Sequence, residues 1–477
     1  MISAKINDLI QNSLCISGDT IEIANELKLR SQVIDQLVWE SVFGNDNDKA
    51  LSRWIIWETA LLLEIIPSSI HDLYIARGKE ETPLDFTVPA INIRAITFDM
   101  ARSVFRTSIR NNVKAMSFEI ARSEIEYTDQ RPMEYTCVLM AAAIKEGWHG
   151  PLFVQGDHFQ AKTTSPGIPK EGEIQKIKEL SKESIKAGFY NIDLDLSTLV
   201  DLNQPTEEEQ QAPNIKYSLE IAKYIREVEP AGITISLGGE IGHIGGKNST
   251  VKDCHAYMDG FNRQMNQAGM GQAGMSKISI QTGTDHGGVV LADGTLADID
   301  IDFKVLSDIS KVARSRYQMG GAVQHGASTL LDKYFKQFTK AEAVEVHLAT
   351  GFFNLIMDHP LFPQELLANM YRYIEENYSH ERKEGHTDAQ FHYKLRKKAI
   401  GAFKKEMWSL SDEIRSALRA SLEKRFEFLF HELNVCNTTE IVSKFIKTVP
   451  IHKTLSDFTP QNSHLPSQKP ASQSVFD

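Results

Sequence analysis

The chain has 477 residues, a formal net charge of −11, 42% hydrophobic residues and 24% charged residues, the profile of a globular protein large enough for more than one structural unit. The acidic balance argues against a general nucleic-acid binder. No apolar run approaches the ~20 residues that span a bilayer, and the N-terminus "MISAKINDLIQNS" lacks a signal-type apolar segment, so the expected location is cytoplasmic. The four cysteines, Cys15, Cys137, Cys254 and Cys436, show no C-x-x-C spacing and read as free thiols of a reducing compartment.

Residues 1–85 read as a helical N-terminal extension, in which "LSRWIIWETALLLEII" carries a wide apolar stripe and stops at Pro67. From residue 86 short β-rich runs alternate with amphipathic helical stretches. "TVPAINI" is followed by a helix with Phe98, Ala101, Phe105 and Ile109 at spacings of three and four. "VKAMSFEI", "PLFVQG", "FYNIDLD", "GITISL", "KISIQTG", "GGAVQ" and "AVEVHL" follow, each separated by a helix or loop. Alternating β and α segments imply parallel strands with crossover helices, and eight of them predict a (β/α)8 TIM barrel over 86–358. Residues 359–450 read as a C-terminal helical extension. Within it "HERKEGHTDAQFHYKLRKK" reads as a solvated, charged face and "LSDEIRSALRASLEKRFEFLFHELN" as a long helix. The Pro/Ser/Gln-rich end, 451–477, reads as disordered.

In such a barrel, chemistry gathers at the C-terminal ends of the strands. The third strand ends in Gly156-Asp157-His158, the fifth in "LGGEIGHIGG" with Glu240, the sixth in "QTGTDHGG" with His286, and the seventh in "VQHGAS" with His325. Each alone has an ordinary explanation: Gly, Asp and His occur in turns, and a loop carboxylate needs no ligand. His243 is a rival to Glu240. Together, three imidazoles and a carboxylate at equivalent strand ends suit a divalent first-row metal, zinc first. Gly287, Gly288 and Gly326 would let an anion approach backbone N–H groups. "HGAST" reads as the start of a helix, with Ser328 near its N-terminus.

These segments resemble the class II, metal-dependent fructose-bisphosphate aldolases. "VPAINI" is similar to the family's opening strand and "GDHFQAK" to its D-H-x-x-K segment. "GGEIGHIGG" is similar to its E-x-G-x-x-G-G segment, and "GTDHGG" and "QHGAS" to its second and third histidine segments. The resemblance implies a metal set of His158, Glu240, His286 and His325, with Zn2+ or another divalent metal. It also implies Asp157 as the proton-transfer group at the substrate C4 hydroxyl. It puts Gly287, Gly326, Ser328 and Thr350 at the triose-phosphate site, and Arg425 on the far phosphate of a neighbouring subunit's substrate. A sugar phosphate substrate and a homodimer or higher homo-oligomer are then expected, with no nucleic-acid or membrane partner. Two departures stand out. Lys247 and Asn248 occupy positions where the family has acidic residues that shuttle a proton at the enediolate carbon. "VHLAT" puts His347 and Ala349 where the family's last strand has Asn and Asp.

The implied reaction is reversible aldol cleavage of a ketose phosphate, most naturally fructose 1,6-bisphosphate, to dihydroxyacetone phosphate and an aldehyde. Asp157 would take the C4 hydroxyl proton beside a Lewis acid held by His158. Two alternatives remain open. One is a C4 epimerase of a ketose or ketouronate, which cleaves, turns the aldehyde fragment and recondenses without protonating the enediolate carbon. The other is a non-catalytic aldolase-like subunit.

Overall fold

The computed structural model describes residues 3–242, 247–269, 273–283, 290–292, 297 and 301–459. Eight strands form the barrel: β1 (Val88–Asn92), β2 (Ser117–Ala121), β3 (Gly150–Asp157), β4 (Asn191–Leu194), β5 (Ser236–Glu240), β6 (Lys277–Ile280), β7 (Ala322–Gln324) and β8 (Glu345–Leu348). Each is parallel to its neighbours. The ring closes where Val346 pairs with Pro89 across β8 and β1. Crossover helices pack outside; the first, Thr97–Arg110, buries Phe98, Ala101, Val104 and Phe105. Ile109, in its last turn, faces solvent instead.

The interior is more polar than such barrels usually are. The fully buried Lys277 ammonium lies 2.9 Å from Asp193 Oδ1 and 2.9 Å from Gln155 Oε1, and it also pairs with Glu345. Gly238 on β5 makes room for this cluster, because a Cβ there would stand 2.3 Å from Asp193 Oδ1. A buried charge is tolerated when carboxylates and amides satisfy it on several sides.

The N-terminal region departs from an all-helical reading. A hairpin pairs Leu14–Ser17 with Thr20–Ile23. The apolar helix spans Asp46–Leu62 and ends before Pro67. Glu64 turns the chain in the left-handed region at φ 58°, and Ile65–Ser68 then adds a parallel strand outside the first half of β3. Proline is accepted there because an edge strand does not need every N–H. The following helix, His71–Gly78, directs Tyr74 inward, where its hydroxyl donates to Glu345. At the chain's other end, 451–459 is packed where disorder is expected. The Trp57 and Trp54 indoles donate to the Ile451 and Lys453 carbonyls, and His452 meets Glu58 at 2.7 Å. Residues 460–477 lie outside the described residues.

His71 gives a test of this packing. Its ring is buried, and burial, then the Arg226 charge, pushes the imidazole from 6.5 down to about 4. Between those values the unfolded chain holds a proton that the native chain lacks. Stability should therefore fall as pH drops through 6.5 and level off below about 4. From pH 7 to 4.5 this amounts to about 2–3 kcal/mol. Urea unfolding at the two pH values should show that much less acid loss in His71→Gln than in the parent; equal losses would refute the assignment.

Candidate active site

β3 delivers Asp157 as its last residue and His158 as the first beyond it. His158 has φ 41°, a left-handed conformation unusual for a residue with a side chain and often retained where function requires it. Gly156 permits the turn: a Cβ there would lie 2.5 Å from the Phe159 ring. Phe159 and Ala161 then donate their N–H groups to the Asp193 and Asp195 carbonyls, so the turn lies along the end of β4.

Three carboxylates surround the His158 ring. Asp195 Oδ2 and Glu240 Oε2 lie 3.0 and 3.2 Å from Nδ1, and Asp157 Oδ1 lies 3.8 Å from Nε2. Burial opposes charge on the ring, but Asp157 and Glu240 outweigh it and hold the imidazole well above 6.5. Burial also opposes charge on Asp195, yet bonds from His158, Ser197 and Gln160 hold that carboxyl below its usual range. Burial, then the Asp195 charge, pushes Glu240 up to about 8. His325, at the end of β7, meets Ser279 Oγ through Nε2 at 2.9 Å and turns Nδ1 to within 3.9 Å of Asp157 Oδ1. Its ring centroid is 4.3 Å from that of His158.

Donor atoms of Asp157, His158 and His325 lie within 4.8 Å of one another, as do those of His158, Asp195 and Glu240. The two groups meet different nitrogens of His158: Asp157 lies toward Nε2, while Asp195 and Glu240 both lie against Nδ1, and the first group, with His325, fits a divalent ion. The cluster combines imidazole nitrogens with an excess of carboxylate that a dication would balance, and Asp195 is placed to orient His158 through its second nitrogen. His286, Gly287 and the rival His243 lie outside the described residues.

His347 is brought into the same cluster. Its ring lies 4.1 Å from that of His325. Nδ1 touches Glu119 at 2.9 Å and Asp157 at 3.1 Å, and Nε2 meets Glu345 at 2.6 Å. Carboxylates thus engage both nitrogens, a positioning arrangement more than a ligating one. Glu119, in the middle of β2, is fully buried. Burial, then the Asp157 charge, pushes it up to about 8, and its Oε1 has no hydrogen-bond partner among the described residues.

A cavity of about 310 Å³ unites these groups. Asp157, His158, His325, His347 and Glu119 line it together with the expected anion-site residues Gly326, Ser328 and Thr350. "HGAST" forms a three-residue 3-10 turn, Ala327–Thr329, and not the start of an α-helix. Ser328 Oγ accepts the Gly351 N–H at 3.0 Å, so it caps the helix that follows β8. Thr350 Oγ1 is 3.3 Å from Arg94 Nη1, a donor absent from the expected set. Arg425 is not among the residues lining this cavity. Its guanidinium pairs with Asp332 at 2.5 Å and packs 4.9 Å from the Phe335 and Phe428 ring centroids. Lys247 and Asn248 line a separate cavity of about 120 Å³ with Ser197, Gln211 and Asp253.

A (β/α)8 barrel with imidazoles and carboxylates converging at the C-terminal mouth defines the class. The chain belongs to the fructose-bisphosphate aldolase class-II family, whose model matches residues 82–417. No curated protein matches it. Similar solved structures include the fructose-bisphosphate aldolase of Campylobacter jejuni, at 15% identity over 76% of this chain and 93% of that one, TM-score 0.44. The YdjI aldolase of Escherichia coli K12 is 11% identical over 76% of this chain and 98% of its own, TM-score 0.44. The fructuronate-tagaturonate epimerase UxaE of Cohnella laeviribosi is 11% identical over 93% of this chain and 91% of its own, TM-score 0.49. Among the described residues no helix is long and apolar enough to cross a membrane.

Proposed function

We propose that this chain is a divalent-metal-dependent enzyme that opens and re-forms the C3–C4 bond of a ketose and keeps both fragments, so that the outcome is epimerisation at C4. The observation that carries this reading is the pair Asp157 and Glu119, two carboxyl groups on one imidazole nitrogen of His347, at 3.1 and 2.9 Å, in one cavity. A metal held by His158 and His325, with Glu240 and His286 as the family pattern implies, would supply Lewis acidity toward the ketone oxygens and toward the charge left on the ketone fragment.

The residues of this chain account for the proton movements. Asp157 accepts the C4 hydroxyl proton as the C3–C4 bond breaks. When the aldehyde fragment turns and presents its other face, the C4 oxygen of the re-formed bond needs a donor elsewhere. Glu119, held protonated at neutral pH and with Oε1 unpartnered among the described residues, meets that need. A carboxyl group raised by its environment, as Glu119 is, suits the acid role. After one turnover Asp157 carries the proton and Glu119 does not; His347, touching both, is placed to return it. Lys247 and Asn248 face a different cavity, which suits a reaction that never protonates the enediolate carbon.

The family reaction, release of dihydroxyacetone phosphate and an aldehyde from fructose 1,6-bisphosphate, is the second reading. Gly326, Ser328 and Thr350 in the cavity favour it. The test is to incubate metal-loaded protein with ketohexuronates, ketohexose phosphates and fructose 1,6-bisphosphate, following C4 configuration by NMR and triose phosphate by enzymatic trapping. A C4 epimer without free aldehyde is expected. Triose phosphate as the main product would replace the epimerase with the aldolase, and no turnover of any ketose would refute both.

A further inference from the structure

We infer that Lys397, a residue of the C-terminal extension, acts with Arg94 as the subsite for an anionic end group of the substrate, a carboxylate or a phosphate. This rests on the retro-aldol reading and names the substrate class it acts on.

The run Arg396-Lys397-Lys398 sits in a 3-10 turn far beyond the last barrel strand. Two of its three cations have carboxylate partners. Arg396 pairs with Asp358 at 2.5 Å and Lys398 with Glu381 at 2.6 Å. Lys397 makes no ion pair among the described residues and instead lines the cavity that holds Asp157, His158 and Thr350. Its ammonium is 6.0 Å from the Tyr127 ring centroid. The charged groups that act on it are Arg94, Glu124, Lys398 and Glu381.

Arg94, at the end of β1, reaches the same wall. Its Nη1 is 3.3 Å from Thr350 Oγ1 and its Nη2 is 2.6 Å from Glu124 Oε1. Glu124 is further tied to Asn92 Nδ2 at 2.6 Å and to the Ala121 N–H at 2.8 Å. Of the carboxylates that act on Lys397, Glu124 is committed to Arg94 and Glu381 to Lys398. Arg94 lies beside the Thr350 hydroxyl, and Lys397 and Ser328 line the same cavity, so an anion there would find both charge and neutral donors. Burial, then the Arg94 charge, pushes the Lys397 ammonium from 10.5 down to about 8. The fold therefore keeps this cation at a cost to its own stability, which a packing role would not require.

The matched ligands D-fructose, D-fructuronate and D-fructose 6-phosphate separate the two anions from each other and from the shared sugar. Binding is measured by calorimetry on the metal-loaded, full-length protein. At least one anionic ligand should bind more tightly than fructose, and which one does so identifies the group. Lys397→Met should weaken that ligand by about 30-fold or more, the usual loss when one partner of a desolvated charge pair is removed. Lys397→Arg should recover most of the affinity. Thermal unfolding of Lys397→Met should begin no lower than in the parent, because a strained cation has been removed. The inference is overturned if the parent binds neither anion more tightly than fructose. It is also overturned if Lys397→Met binds the anion as the parent does, or if the variant loses fructose and anion binding equally. Failure of the retro-aldol reading would look different: anion binding that depends on Lys397, with no epimer and no cleavage product.

Discussion

Asp157→Asn should retain its metal and lose turnover by roughly 10²–10⁴-fold, the range for a positioned acid or base. The substitution keeps the shape of the side chain and removes its ability to accept a proton. His158 and His325, the two imidazoles proposed to hold the ion, keep their own supports in Asp195 and Ser279. The ion content should therefore be unchanged. Glu119→Gln makes the companion measurement. In an epimerase it should block formation of the C4 epimer while Asp157 can still open the C3–C4 bond of the starting ketose, so that trapping reagents capture aldehyde from this variant. Elemental analysis and chiral product analysis on the two variants together decide the matter. An Asp157→Asn enzyme with the parent's rate would move the base elsewhere, and Asp285, beside His286 and outside the described residues, would be the next candidate.

The parts of this molecule that are legible in sequence are those with a local signature. Short strands of three to eight residues spaced by amphipathic helices announce the barrel, and a Gly-Asp-His step at the end of one of them marks the mouth. The polar interior has a signature too, though a weaker one. Glu119 in "SFEIA", Asp193 in "NIDLD", Lys277 in "KISIQ" and Glu345 in "VEVHL" each interrupt an apolar strand with a charge. Nothing in a single strand says whether such a residue faces the barrel axis or the helices; that depends on the pairing of all eight. His347 stands out from the family pattern as a replacement, but its work as a bridge between Asp157 and Glu119 follows only from the closed ring.

Lys397 was hidden for a different reason. A run of three cations in a charged segment has the composition of a solvated surface, and two of the three do pair there with Asp358 and Glu381. Only the path of the C-terminal extension back over the mouth separates the third. Arg425 shows the converse. Its helix, Asp412–Glu432, follows from the apolar spacing, yet Asp332, Phe335 and Phe428 hold its guanidinium away from the chain's own cavity. Any part it plays in binding a substrate would have to be toward a neighbouring subunit.

The metal set makes the other large prediction. The parent should hold about one divalent ion per chain, and His158→Ala and His325→Ala should each lose that ion together with roughly 10³-fold or more of the activity, since Lewis-acid stabilisation is worth several kcal/mol. His286→Ala should behave in the same way if the family pattern holds at that position. His347→Asn is the control that separates ligation from proximity. Its ring is as close to His325 as that of His158, at 4.1 against 4.3 Å, but Glu119, Asp157 and Glu345 already engage both of its nitrogens. That variant should keep the ion while slowing turnover. Far-ultraviolet circular dichroism should show the His158, His325 and His347 variants folded, because these rings lie among polar groups at the barrel mouth and not among the apolar side chains that carry the barrel. Plasma mass spectrometry of dialysed protein reads the ion directly. Full occupancy in His325→Ala, or loss of the ion from His347→Asn alone, would mean that the metal, if one binds, sits against a different set of side chains.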